Sequence, residues 1–200
     1  MISNEDCENK ILAQSIAFEK DIAYINSRGK FPVVHAASST TLFLTKKYQY
    51  NMVRIGMALY GFCGFDKPLK KVMSVRSRVV DIKRLNNAYL GYGEKKKIDK
   101  EFVRAIIPIG YGYGINSKLS NKSHVIIGGK KCPIIGEMSM DCMYVDVSDL
   151  PDIKIGDEVI FIGEENNQEI TATDHARELD IYSCEVLTNL NTNRFYMETK

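Results

Sequence analysis

Between about residues 64 and 70 the chain changes its periodicity, and that change limits the possible folds more than any single motif. Ahead of it, apolar residues recur at helical spacing between short strand-like runs; behind it, they alternate with polar ones. Over residues 8–28, Ile11, Phe18, Ile22 and Ile25 fall on one helix face. Gly29 stands where a C-terminal cap belongs, and Pro32 prevents the helix from resuming. Val33, Val34 and His35 read as a short buried strand, running into Ala36-Ala-Ser-Ser-Thr-Thr41, whose hydroxyls can cap a helix through about Lys47. Residues 52–62 repeat the order: apolar residues, Arg54, Gly56, then a run able to start a helix. The first third therefore predicts two consecutive β/α units.

Two such units close no barrel and cover no open sheet, because parallel strands need neighbours on both sides. The expectation is that they are the last units of a larger β/α barrel, and in such barrels the loops after the seventh and eighth strands commonly hold a phosphate. Beyond the boundary, residues 72–82 alternate as a half-exposed strand does, and residues 102–109 predict a second one. Residues 125–127 and 132–135 flank Gly128-Gly-Lys-Lys131, a hairpin signal. Residues 143–147 and 158–162 add two strands, Thr171 or Thr173 caps a helix to Leu179, and the tail reads as strand-like. The fold class expected is α+β: the end of a TIM-type barrel over residues 1–66, then a mainly antiparallel small β-barrel domain over residues 67–200.

The charge balance, 27 basic against 25 acidic residues, offers no nucleic-acid surface. Lys95-Lys-Lys97 and Lys70-Lys71 read as solvated loop charge. Five scattered cysteines, with no Cys-x-x-Cys pair, fit free thiols in a reducing compartment rather than a disulfide frame or a zinc site, and His124 and His175 are too far apart to suggest a metal. No apolar run reaches membrane-spanning length, and Asn4, Glu5, Asp6 and Glu8 are wrong for a signal peptide, so a cytoplasmic protein is expected.

Around Gly56 the local chemistry suits a phosphorylated planar ligand. Glycine lets backbone N–H groups approach an anion, and Arg54 can face a ring nitrogen. Taken by itself, the stretch reads better as a buried strand whose arginine caps a carbonyl or pairs with a carboxylate. Tyr92 between two glycines reads as a loop tyrosine, Tyr111 and Tyr113 as turn aromatics, Met138 and Met140 as core, His35 as a satisfied core histidine and Asp141 as a turn cap.

Five ordered landmarks alter that balance. His35-Ala-Ala-Ser-Ser39, Val53-Arg-Ile-Gly-Met-Ala-Leu-Tyr-Gly61, Leu90-Gly-Tyr-Gly93, Pro108-Ile-Gly-Tyr111, and Pro133-Ile-Ile-Gly136 with Met140-Asp141 stand in the order found in alanine racemases. From about Ile11 to Phe195 the chain resembles the C-terminal half of that family of fold-type III pyridoxal-phosphate enzymes. The resemblance implies pyridoxal 5′-phosphate as cofactor, with Ser39, Gly56 and Met57 holding its phosphate and Arg54 keeping its ring nitrogen unprotonated. It implies Tyr92 as the acid/base on one face of a small amino-acid substrate, and Tyr111, Met140 and Asp141 around the substrate entry and carboxylate. It further implies conversion of L-alanine to D-alanine for peptidoglycan, in a homodimer whose partner subunit receives the tyrosine loop.

The chain also departs from the family. Its Schiff-base lysine, carried in an Ala-Asn-Ala-Tyr-Gly-like segment early in the barrel, has no counterpart here, so no activity is expected unless a complementary N-terminal half supplies it. Ser38 replaces an asparagine, Tyr113 an aspartate and Glu137 an arginine, the last placing negative charge near an anionic substrate. Residues 191–195 stand for the family's Arg-Val-Pro-Arg region without its phosphate-contacting tyrosine, which leaves serine open as a substrate. The alternative reading is a non-catalytic remnant that dimerises or binds.

Overall fold

In the computed structural model, which describes residues 4–29, 32–62, 69–91, 93 and 96–198, the chain divides into two units, Met1–Val72 and Met73–Lys200. The first unit opens with α1 (Asn4–Asn26). The two predicted strands meet in parallel, as expected, but only through one bridge between His35 and Met52. Among the described residues no third parallel strand flanks them, so the ladder has nothing to extend it. A side chain takes over the missing ladder bonds: Asn51 accepts from the Val34 amide and donates to the Pro32 carbonyl, both at 2.7 Å. Tyr50, which precedes it in a left-handed conformation at φ 53°, packs edge-on against Phe18 of α1, centroid to centroid 5.5 Å. The helix predicted to reach Lys47 is the single turn-and-a-half α2 (Ser39–Leu44), and the helix expected after Gly56 is a four-residue 3₁₀ turn, Met57–Tyr60. Gly61, at φ 86°, ends that turn.

The second unit is a small antiparallel barrel. One sheet runs β1 (Val75–Arg78), β7 (Glu158–Glu165), β4 (His124–Ile127), β5 (Lys130–Pro133), with β8 (Gln168–Ile170) on β7. The other runs β2 (Asp81–Leu90), β3 (Lys96–Ile107), β6 (Met143–Asp146). An isolated bridge from Ile134 to Val145 joins the sheets on one side. On the other side the chain itself closes the ring, because β1 runs on into β2. The single strand expected over residues 72–82 therefore breaks at Val79 and Val80. Val79 bonds back to the Asp157 carbonyl beside β7, whereas Val80 bonds to the Ile106 carbonyl on β3. A strand that changes partners must turn a corner there.

The side chains follow the ladder. In β6, Met143 and Val145 are fully buried while their neighbours are half-exposed, the period of a one-faced strand. In β7, Val159, Ile160, Phe161 and Ile162 are all buried, because that strand lies between β1 and β4 and is covered on both faces. Gly128 and Gly129 close β4 onto β5 with φ 57° and 72°, the left-handed pair a two-residue hairpin needs. The Lys95–Lys97 run, expected as loop charge, opens β3 at Lys96, and Lys97 pairs with Asp99 at 2.6 Å. Helix α3 (Ala172–Leu179) starts at Thr171 in a full capping box with Asp174. The tail is not a strand. Tyr182 opens α4 (Ser183–Asn189), with Glu185 bonding back to the Tyr182 amide, and a 3₁₀ turn, Thr192–Arg194, follows. A capping glutamate three residues into the helix is the signal that marks this start.

His175 is wholly buried on α3, stacked on Phe161 with centroids 4.1 Å apart. Its Nε2 donates to the Phe161 carbonyl at 2.8 Å, leaving Nδ1 to accept from the Ser123 hydroxyl at 2.9 Å. Burial pulls its pKa below the ordinary histidine value, with the Phe161 carbonyl, Asp174 and Glu178 opposing. The unfolded chain then binds a proton near pH 6.5 that the folded chain refuses, so folding stability falls as pH drops through that value. In urea titrations between pH 8 and 5.5, we expect the wild type to lose stability progressively on acidification. His175→Gln, less stable at pH 8, should show a flatter dependence over the same window.

Candidate active site

The site residues expected from the sequence fall in both units, each of which has its own geometry. In the first unit, the loops after the two parallel segments are stitched together. The Arg54 amide donates to the Ala37 carbonyl at 2.8 Å, and Arg54 Nη2 donates to the Ala36 carbonyl at 3.2 Å. Ser39 Oγ accepts from the Gly56 amide at 3.1 Å and from the Ala58 amide at 3.4 Å. Ser38 is the N-cap of α2 but makes no capping bond, so Ser39 is the hydroxyl that the loop uses. With both acceptor positions taken by amides, the Ser39 hydroxyl proton stays available to a ligand. A Cβ on Gly56 would meet nothing within 4 Å, so the space above that residue is open. The Met57 N–H begins the 3₁₀ turn and has no partner among the described residues. Arg54 is exposed and makes no ion pair with a described carboxylate. Hydroxyl, free amide, uncompensated guanidinium and open space fit a dianionic group beside a flat ring.

In the second unit, backbone contacts gather three loops. Gly91, at φ 86°, lies so near the next loop that a Cβ would sit 2.0 Å from the Glu137 amide nitrogen. Tyr92, the sequence's candidate acid/base, follows directly and lies outside the described residues. Gly136, at φ 70°, faces Gly91 from the other side, its amide donating to Asn121 Oδ1 at 2.8 Å. Met138 is buried, and its amide is held by Ser120 Oγ at 2.9 Å. Further along the same loop, the Tyr111 amide donates to the Ser139 carbonyl at 3.1 Å and the Gly112 amide to the Met140 carbonyl at 2.8 Å. Tyr111, Met140 and Asp141 therefore stand on adjoining loops with exposed side chains. Exposure corrects the reading of Met140 as core, and Asp141 caps no turn: it pairs with Arg194 at 2.8 Å.

Arg194 is the residue that sequence reasoning missed, since the tail was expected to be a strand. Its guanidinium also lies over the ring of Tyr113 at 5.5 Å, and Tyr113 meets Phe195 edge-on at 5.3 Å. Asn191 N–H donates to the Tyr113 carbonyl at 2.9 Å. Tyr113, where the family has aspartate, is thus the ring on which the C-terminal segment rests. Cys132 is no nucleophile: burial, with Asp146 and Asp149 nearby, pushes its thiol up to about 11. No cluster of metal-ligating side chains occurs among the described residues.

A first unit with two parallel segments and a second, antiparallel barrel unit are the two parts that the family comparisons recognise. The model of the alanine racemase C-terminal domain matches residues 72–197, and that of the N-terminal domain matches residues 2–63. The chain belongs to the alanine racemase family, a family of isomerases. It is 36% identical over 179 residues to an alanine racemase of Nostoc, covering 85% of this chain and 46% of that protein. It is 34% identical over 188 residues to that of Symbiobacterium thermophilum, covering 90% and 50%. Among solved structures, alanine racemase from a D-cycloserine-producing Streptomyces lavendulae superposes with a TM-score of 0.84 at 27% identity, covering 92% of this chain and 50% of that one. The Bartonella henselae enzyme with covalently bound pyridoxal phosphate gives 0.80 at 31%, covering 90% and 50%. The chain spans about half the length of the relatives it matches.

Gly110 tests the loop packing. A Cβ there would lie 2.2 Å from the Ser139 carbonyl oxygen, which is backbone and cannot step aside. Gly110→Ala should cost on the order of 2 kcal/mol or more in chemical denaturation, by forcing the two loops apart. Gly128→Asn in the hairpin, where a Cβ meets nothing and the left-handed turn accepts asparagine, should cost far less.

Proposed function

We propose that this chain, with residues 1–66 as barrel end and 67–200 as β domain, is the C-terminal half of a pyridoxal-phosphate-dependent alanine racemase. A lysine-bearing N-terminal barrel half would complete it. The observation that carries the reading is the Ser39 cross-link, which joins the two loops beside an open Gly56 and an Arg54 that makes no ion pair with a described carboxylate. Ser39 and the Met57 amide would hold the cofactor's phosphate. Gly56 would give it room, its own amide already committed to Ser39. Arg54, anchored through Ala36, would face the ring nitrogen with a cation that cannot release a proton at neutral pH, so that nitrogen stays unprotonated. The bound cofactor would supply the electron sink that acidifies the substrate Cα.

Racemisation removes a proton from one face of Cα and delivers another to the opposite face, so two proton carriers must flank it. Tyr92 would be one, holding and returning its proton at the phenolic oxygen; near its free pKa of ~10 a tyrosine needs its surroundings to make it an effective base. The other would be the lysine of the missing half. Gly91 is pressed onto Glu137, and Tyr111 and Met140 would border the substrate entry. Two barrel halves and a pair of such chains would make the active dimer. The product, D-alanine, suits peptidoglycan supply, in the cytoplasm where that precursor is built. Residues 191–195 lack an equivalent of the family's phosphate-contacting tyrosine, so serine stays open as a second substrate.

Several observations accord with association. Val33 and Met52, on the two parallel segments, are exposed by 52% and 42%, as are Leu12 and Ile16 along α1. Such apolar residues on one small unit call for a covering partner. No helix among the described residues is long and apolar enough to cross a membrane.

The test is interconversion of L- and D-alanine, with serine in parallel, by the chain alone and co-expressed with an N-terminal racemase half, pyridoxal phosphate being added throughout. We expect turnover only with the added half. Tyr92→Phe should then lower kcat by about 10²-fold or more while the bound cofactor's absorbance is retained. Turnover by the chain alone, or none by a folded complex, would overturn the proposal.

A further inference from the structure

We propose that Arg194 is a positioning residue: from the C-terminal segment it holds residues 110–114 against residues 139–142, and so sets where Tyr111 and Met140 stand. The seam between these loops is a backbone seam. The amides of Tyr111 and Gly112 donate across it to the carbonyls of Ser139 and Met140. Arg194 sits at the middle of it. The position a Cβ would occupy on Gly112 is 2.8 Å from Arg194 Nη1 and 2.9 Å from the Met140 carbonyl oxygen. From there the guanidinium reaches both sides, pairing with Asp141 on one loop at 2.8 Å and covering the Tyr113 ring on the other at 5.5 Å.

Arg194 is itself tied down. Its amide donates to the Asn191 carbonyl at 2.9 Å. Asn191 in turn donates to the Tyr113 carbonyl at 2.9 Å, and a Cβ on Gly114 would lie 1.8 Å from the Asn189 carbonyl oxygen. Phe195 completes the clasp against Tyr113. A planar guanidinium can stack on a ring and pair at its edge together, and an ammonium cannot.

The pair's energy is not what matters. With Arg194 and Asp141 side chains 38% and 61% exposed, solvent screens the attraction, and removing it leaves global stability nearly unchanged. What it controls is local: whether the seam stays closed. The consequence for substrate rests on the racemase reading above, through Tyr111 and Met140. The mechanical statement does not.

Amide hydrogen exchange on the full chain reads the seam directly, with the amides of β4 and β7 as internal reference. Arg194→Ala should raise exchange at Tyr111 and Gly112 by about 10-fold or more relative to those strands. Arg194→Lys should give a smaller rise. Asp141→Asn should raise exchange too, and the double variant should fall short of the product of the single effects, because both act on one contact. In the active complex with a barrel half, Arg194→Ala should raise KM for alanine more than it lowers kcat. An unchanged ratio of seam to strand exchange, a rise shared equally by β4 and β7, fully multiplicative effects, or a loss of kcat at constant KM would each overturn the assignment. Absence of racemisation by the wild-type complex would instead count against the racemase reading, with the exchange result still deciding the role of Arg194.

Discussion

Backbone lying against backbone is the contact on which the second unit's loop face depends. Gly91 touches Glu137, Gly110 touches Ser139 and Met140, and Gly114 touches Asn189, each closer than any Cβ would permit. Glycine gives up side-chain contacts and costs conformational entropy on folding. In return, three loops and the C-terminal segment come within amide-to-carbonyl reach, and small displacements in one are felt by the others. Because main-chain atoms cannot change rotamer, the side chains that project from this seam start from well-defined positions. The barrel beneath supplies the stability: Val125, Ile126, Met143, Val145 and Ile160 are fully buried in its two joined sheets.

The first unit is organised on another principle. Its two parallel segments share one bridge, and polar side chains take the place of a ladder: Asn51 on one end, Ser39 on the other. Side-chain clamps over 17 to 19 residues hold loops together without a sheet to carry them. The proposed cofactor residues therefore sit at the ends of a thin scaffold, while apolar residues such as Val33 and Met52 stand partly exposed beside it.

Where period and turn chemistry act locally, the fold was legible in the sequence. The shift to alternation pointed to antiparallel strands, Gly128-Gly129 marked the β4–β5 hairpin, and Thr171 marked α3. Gly56 and Arg54 were legible together in one loop, and Ser39 came in through the family resemblance; the fold bonds Ser39 to the Gly56 and Ala58 amides. What escaped detection depends on distant partners. The strand over residues 72–82 breaks because β7 and β3 take its two ends, and no residue at Val79 or Val80 announces that. The β2–β3 hairpin was masked by its polar composition, with Lys83, Arg84, Lys97 and Glu101 facing solvent. Helix α4 begins at Tyr182, an unusual cap, so only Glu185 signalled it. Arg194 could be found only once that tail was known to fold back on Tyr113.

The phosphate site proposed for the first unit's two loops is open to direct test. The most direct measurement is the ³¹P resonance of pyridoxamine phosphate, which needs no lysine to attach it, with the chain bound to an N-terminal racemase half. A dianion held by Ser39 and the Met57 amide should resonate away from the free ligand and stop titrating near pH 6, and Ser39→Ala should restore the free behaviour. A resonance that titrates as in water with the wild-type complex would contradict the account.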